Sequence, residues 1–173
     1  IRDRPISEVN MFQAISLAVI AALTVIDRLT KYAAVTSVKP NGPFKFLFGL
    51  FQLRYVENTG AAFSSFSDNT VLLTVFTVLI LIVCLVLLMI RRIKPVFPNI
   101  CLVLIVAGGL GNVIDRVLYG YVIDFIEPLF MDFAVFNFAD CCITVGAFML
   151  IGYEIYGLIR DKSSKKDHND AEH

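Results

Sequence analysis

The chain has 173 residues, 57% of them hydrophobic, and a mean hydropathy of +0.75, which exceeds the roughly half-apolar make-up of soluble domains and places it in lipid. Fifteen basic and fifteen acidic side chains cancel, so nothing in the overall charge attracts nucleic acid or an acidic polymer, and only the local placement of charge is informative. The length suits one compact unit, since four membrane helices of about 20 residues each would use nearly half of it.

The first hydrophobic stretch, residues 11–35, is interrupted only near its far end by Asp27, Arg28 and Lys31. No small-residue cleavage site precedes it, so it is expected to stay as a spanning helix. Asp27 and Lys31 lie i, i+4 in the favourable acid-first order, which predicts an ion pair with a scaffolding role. The loop from Lys39 to Ser67 differs in character. Pro40, Asn41, Gly42 and Pro43 precede Phe44, Phe46, Phe48, Phe51, Leu53 and Tyr55. Alternating apolar residues bounded by turn residues predict short strands at the outer membrane surface, suited either to hold a peptide or to anchor the loop at the interface.

Residues 71–90 carry no charge and form the clearest span, long enough to cross a hydrocarbon core of about 30 Å. Pro98 and Asn99 open the third, residues 99–115, which ends at Asp115 and Arg116. Asn112, Asp115 and Arg116 share a helical patch there, where Arg116 pairs with Asp115 or neutralises another carboxylate. The following piece, Tyr121 to Ile126, alternates so that Asp124 faces away from Tyr121, Ile123 and Phe125. In the fourth span, residues 139–159, Asn137 is placed to cap the helix and Asp140 sits at its positive dipole end. Residues 161–173, which include His168 and His173, read as a disordered polar cytoplasmic tail outside the fold. The prediction is one domain, residues 1–160, of an all-α membrane protein: four transmembrane helices with a small extracytoplasmic β element.

Lys and Arg beside short loops resist translocation. Arg2 and Arg4 precede span one, Arg91, Arg92 and Lys94 separate spans two and three, and Arg160, Lys162, Lys165 and Lys166 follow span four. Both termini are therefore expected in the cytoplasm. The opposite face collects Asp68, Asp115, Asp124, Glu127, Asp132 and Asp140 beside a smaller number of cations, Lys39, Lys45, Arg54 and Arg116.

A charge at mid-bilayer costs about 2.5–3.5 kcal/mol, so such residues need a reason. The fifteen-residue connection between Asp124 and Asp140 allows both to meet in one outer-surface pocket. Two close carboxylates cannot both ionise cheaply, which yields an acid and a base for activating water against a carbonyl. Spacing leaves other chemistries open. A thiol hydrolase at Cys141 lacks a histidine on the same face, and Cys84, Cys101, Cys141 and Cys142 all fall in predicted spans, unlike a disulfide framework. A Ser–Lys pair would use Ser64 or Ser65 with Lys31. Zinc chemistry lacks its ligand pattern, and no metal or other cofactor is predicted. A non-enzymatic alternative is a small proton-coupled transporter subunit using Asp27, Asp115, Asp124 and Asp140 as a relay, although no inverted repeat is visible.

Five ordered blocks resemble the lipoprotein signal peptidases, or signal peptidase II family. They are Asp27-Arg28-Leu29-Thr30-Lys31, Asn58-Thr59-Gly60-Ala61-Ala62-Phe63, Gly108-Gly109-Leu110-Gly111-Asn112-Val113-Ile114-Asp115-Arg116, Val122-Ile123-Asp124-Phe125 and Phe136-Asn137-Phe138-Ala139-Asp140. The resemblance spans about Met11 to Ile159. It implies an aspartic endopeptidase with Asp124 and Asp140 as the catalytic pair. Asn58, Gly60, Asn112, Arg116 and Asn137 would support substrate or carboxylates, and Asp27, Lys31 and Asp115 would hold the helices. The implied substrate is a bacterial prolipoprotein cut before its diacylglyceryl-cysteine, with membrane lipids and peptide antibiotics such as globomycin as further partners. Cys141 and Cys142 depart from the small hydroxyl or alanine side chains common after the second aspartate in that family, which bears on packing and thiol sensitivity.

Overall fold

The computed structural model describes residues 6–60, 70–90 and 95–171, with side chains described for residues 11–60, 70–90 and 95–160. Arg2, Arg4, Ser64, Ser65, Asp68, Arg91, Arg92, Lys94 and His173 lie outside the described residues, as does the Ala61-Ala62-Phe63 part of the second block. Helix α1 (Ile6–Ala33) continues through a π-helical turn, Ala34–Val38, as far as Asn41. It is followed by α2 (Thr70–Met89), α3 (Val96–Tyr119) and α4 (Phe138–Ala171). Among the described residues, four helices are long and apolar enough to cross a membrane: Met11–Asn41, Thr70–Met89, Val96–Tyr119 and Phe138–Arg160.

Several boundaries differ from the sequence reading, and the third helix runs from Val96 to Tyr119 where 99–115 was expected. The first span runs past Val35 to Asn41, because the π-turn carries the ladder on until Gly42 (φ 79) ends it. Residues 161–171 are helical instead of disordered: no proline interrupts Phe138–Ala171, and lysine and aspartate in that stretch are tolerated by a helix that has already nucleated.

Helix α3 is the centre of the bundle, packed against α1, α2 and α4. It starts behind Pro95, whose extended backbone (φ −63, ψ 142) serves as N-cap, and it stops at left-handed Gly120 (φ 80), whose N–H returns to Arg116 O at 3.0 Å. Leu102, Val103, Val106 and Ala107 of α3 join Ile20 of α1 and Leu88 of α2 in the main core. Toward its C-terminal end α3 carries glycines where its neighbours touch. A Cβ on Gly108 would meet the carbonyl oxygen of Ala139, and one on Gly111 would meet the Asp27 carboxylate. Small residues thus let α1 and α4 approach the α3 backbone at one end of the bundle.

At that end lies a three-stranded antiparallel sheet, β1 (Phe44–Phe46), β2 (Phe51–Asn58) and β3 (Val122–Pro128), in the order β1-β2-β3. The turn Leu47–Gly49 joins β1 to β2 with Leu47 (φ 46) and Phe48 (φ 57) in the left-handed region. On one face, Ile123 and Phe125 pack on Ala34 together with Val38, Leu53 and Tyr55, which is the apolar side expected from the alternation. Between Leu53 and Val56 a bulge in β2 shifts the register, after which Val56 pairs with Asp124 and Asn58 with Val122. Paired residues share a face, so Asn58 stands diagonally beside Asp124. The outer edge of β3 is covered where Phe125 N and Ile126 N donate to Phe136 O at 3.0 and 2.8 Å.

Candidate active site

The site grows from a buried charge cluster that ties three helices and the sheet together. The Lys31 ammonium lies 2.9 Å from Asp27 Oδ2 and 2.8 Å from Asp115 Oδ2, with the Lys31 side chain fully buried. Arg28 donates to Asp115 Oδ1. The two carboxylates also take backbone donors, Ala139 N on Asp27 Oδ1 at 3.0 Å and Ile123 N on Asp115 Oδ2 at 3.2 Å. Two acids and two bases close this cluster at zero net charge, the condition under which buried ions are tolerated. It fixes the start of α4 and the start of β3 to α1 and α3.

Above it, Asn137 and Asp140 form a reciprocal cap at the start of α4. Asp140 N donates to Asn137 Oδ1 at 2.9 Å, and Asn137 N donates to Asp140 Oδ2 at 3.2 Å. This is the capping-box arrangement, with an aspartate in the position that glutamate usually takes. Asn112 Nδ2 donates to the other oxygen of Asp140 at 2.7 Å. Asp124, delivered by β3, accepts from Asn137 Nδ2 at 2.6 Å and from Asn58 Nδ2 at 2.8 Å. The Asn58 amide is itself oriented, because its Oδ1 accepts from Gly60 N at 3.0 Å.

Asp124 and Asp140 both line a cavity of about 460 Å³, along with Asn58, Gly60, Asn112 and Arg116. Most of the remaining wall is apolar, from Val122, the stretch Phe133–Phe136, and Ile143 and Val145 of α4, with Cys141 and Thr144 beside them. A smaller cavity of about 250 Å³, lined also by Val56, Glu57 and Thr59, likewise reaches Asp124. Burial, reinforced by the nearby Asp140 charge, pushes the Asp124 carboxyl up to about 7. Arg116 Nη2 donates to Gly60 O at 3.4 Å, and its buried Nε has no hydrogen-bond partner among the described residues.

The structure therefore gathers Asp124, Asp140, Asn58, Gly60, Asn112 and Arg116 on one cavity wall. Asn137 lies just behind, fully buried, in contact with both aspartates. Asp27, Lys31 and Asp115 form the ion cluster beneath. Of the two roles read for Arg116, pairing with Asp115 falls to Arg28 instead, and Arg116 faces the cavity. The Ser–Lys alternative loses its base, since Lys31 is engaged by two carboxylates and by Asn112 Oδ1 at 3.0 Å. Cys141 lines the cavity, and all four cysteines are unpaired. The sequence reading missed the role of Arg28, visible only as one more charge in the first block, and the apolar wall from α4, which hydrophobicity cannot distinguish from a lipid-facing surface.

A bundle of four spans with this sheet and cavity at one end is the architecture of a bacterial membrane enzyme. A solved structure described in those words, determined by the in meso method at 2.3 Å, superposes with a TM-score of 0.76 at 31% identity over 88% of this chain and 92% of its own. The chain belongs to the signal peptidase II family, whose model, described as signal peptidase (SPase) II, matches residues 19–156. Similar proteins include the lipoprotein signal peptidase of Caldanaerobacter subterraneus subsp. tengcongensis, 41% identical over 80% of this chain and 93% of that protein. The lipoprotein signal peptidases of Streptococcus thermophilus (strain CNRZ 1066) and Clostridium acetobutylicum are 39% and 36% identical, over 80% and 87% of this chain and 90% and 97% of theirs. The chain is thus a multi-pass bacterial membrane protein and a protease.

Proposed function

We propose that this protease removes the signal peptide of diacylglyceryl-modified prolipoproteins, cutting before the lipidated cysteine, and that it does so as an aspartic endopeptidase through Asp124 and Asp140. The observation that carries the reading is that both carboxylates line one cavity while a single residue, Asn137, donates to each of them.

The chemistry follows from the asymmetry of the pair. Asp140 stands in the first turn of α4, at the positive end of the helix, and both its oxygens accept N–H donors, which favours the anion. Asp124, titrating near 7, holds the shared proton. Asp140 accepts a proton from water as the water oxygen attacks the scissile carbonyl, and Asp124 donates to the carbonyl oxygen as it gains charge. Collapse of the tetrahedral species breaks the C–N bond, and the departing amine takes a proton from the pair. One ionised aspartate balances the positive charge of Arg116, so the cavity stays near neutrality. Arg116 and Asn58 border the place where the peptide backbone would lie.

The charge pattern supports both termini in the cytoplasm and the cavity at the extracytoplasmic face, where a lipidated cysteine rests at the bilayer surface. The apolar wall from Ile143 and Val145 suits the acyl chains and the signal-peptide residues, and a cyclic peptide antibiotic such as globomycin would compete for the same space. The decisive experiment is cleavage of a diacylglyceryl-modified prolipoprotein by the purified protein in detergent. Asp124→Asn and Asp140→Asn are each expected to lower turnover by about 100-fold or more, and the unlipidated precursor to be a poor substrate. Retained activity in either variant overturns the assignment.

A further inference from the structure

The Lys31 ammonium sits in ion-pair contact with Asp27 Oδ2 at 2.9 Å and Asp115 Oδ2 at 2.8 Å, and it carries three N–H donors. With Arg28 also on Asp115, the charges of the cluster are already balanced, and the ammonium's directed hydrogen bond goes elsewhere. The ammonium donates to Asn112 Oδ1 at 3.0 Å. That oxygen also receives Asn137 Nδ2 at 3.2 Å, while Asn112 Nδ2 donates to Asp140 Oδ1 at 2.7 Å. Turning the Asn112 amide over would set an N–H₂ against the ammonium and a carbonyl against the Asp140 carboxylate, leaving donors facing donors and acceptors facing acceptors in a buried place. Asn137 supplies a neutral donor for the same orientation, and Lys31 supplies the charged, stronger one.

We propose that Lys31 is a positioning residue of the reaction: its ammonium locks the direction of the Asn112 amide, so that Asn112 offers Asp140 an N–H and never a carbonyl. This inference rests on the reading of Asp140 as the base. The chain of contacts runs from Lys31 through Asn112 to Asp140, and Lys31 itself touches neither aspartate of the pair. It gives the buried cluster a function besides holding helices together, because the same ammonium that joins α1 to α3 sets which atom of α3 meets the carboxylate of α4.

The test is a double-mutant cycle on lipoprotein cleavage. Asp27→Asn/Lys31→Met removes one charge of each sign and the donor together, and Asn112→Ala removes the amide through which Lys31 acts. Asp27→Asn/Lys31→Met is expected to lower kcat about tenfold beyond Asp27→Asn alone, with KM within about twofold. In the Asn112→Ala background that tenfold loss is expected to vanish. Losses that multiply, or a fall confined to KM, overturn the proposal and leave Lys31 a structural residue. If the methionine variant does not purify folded, the cycle is run with Lys31→Arg, which keeps the charge and displaces the donor. The expected result is then a severalfold loss that disappears in Asn112→Ala, and no loss, or one that multiplies, overturns the proposal. Activity surviving in Asp124→Asn or Asp140→Asn would sink the aspartic reading itself, an outcome distinct from failure of this cycle.

Discussion

Asn137 and Asp140 hold each other from both ends, side chain to backbone in each direction, at 2.9 and 3.2 Å. The contact that starts helix α4 is thus also the one that aims a carboxylate into the cavity. Helix capping and the site cannot be separated by sequence position, but they can by substitution. Asn137→Ser keeps a capping oxygen and loses the amide donor to Asp124, whereas Asn137→Ala loses both. Both variants are expected to lose most turnover, while Asn137→Ala unfolds at lower temperature by an amount equivalent to about 1 kcal/mol. Thermal unfolding in detergent, run beside the cleavage assay, checks the split.

Burial pushes the Asp124 carboxyl of the folded chain up to about 7 from its ordinary value of 3.8. Between those values the folded state holds a proton that the unfolded state has released. Stability is therefore expected to fall as pH rises from about 4 to about 7, and to change little from this group above that. Asp124→Asn removes this slope. Melting temperatures at pH 5 and pH 8 for the two proteins measure it, and equal differences would count against a raised Asp124. Turnover should follow the same group, declining as pH rises past about 7 because the acid loses its proton.

Gly111 is placed where a Cβ would strike the Asp27 carboxylate, which in turn holds Ala139 N at 3.0 Å. Gly111→Ala is expected to cost about 1–3 kcal/mol and to loosen the start of α4. Lower thermal stability accompanied by reduced turnover is the anticipated outcome. Gly152→Ala, at a position with nothing within 4 Å of the added atom, should leave both unchanged.

Cys141 borders the cavity next to Asp140, yet no hydrolytic step requires its sulfur. Cys141→Ala and Cys142→Ala are expected to retain turnover within a few fold in the lipoprotein assay. Loss of 100-fold or more in either would revive a thiol mechanism and require a new base.

Much of the architecture was legible in the chain itself. A bilayer demands long apolar helices, so residues 71–90 and their three companions declare themselves by composition, and the alternation from Tyr121 to Ile126 already separated Asp124 from its aromatic neighbours. The i, i+4 spacing of Asp27 and Lys31 likewise predicted a contact that is local in the helix. Each of these features depends only on neighbours within a few residues.

What the tertiary structure decided is who meets whom across the bundle. Arg28, not Arg116, takes Asp115, because α1 and α3 cross at that level, and Arg116 is thereby left for the cavity. The bulge between Leu53 and Val56 sets Asn58 beside Asp124, a matter of strand register invisible to alternation. Lys31, read as half of a local ion pair, turns out to reach Asn112 81 positions away. Sequence by itself determined the spans, the caps and the candidate carboxylates, since these follow from solvent and from local geometry. The direction of each amide, and so which atoms Asp124 and Asp140 are offered, was decided only when four helices and a sheet buried their polar groups together and the site amides had to match donors to acceptors.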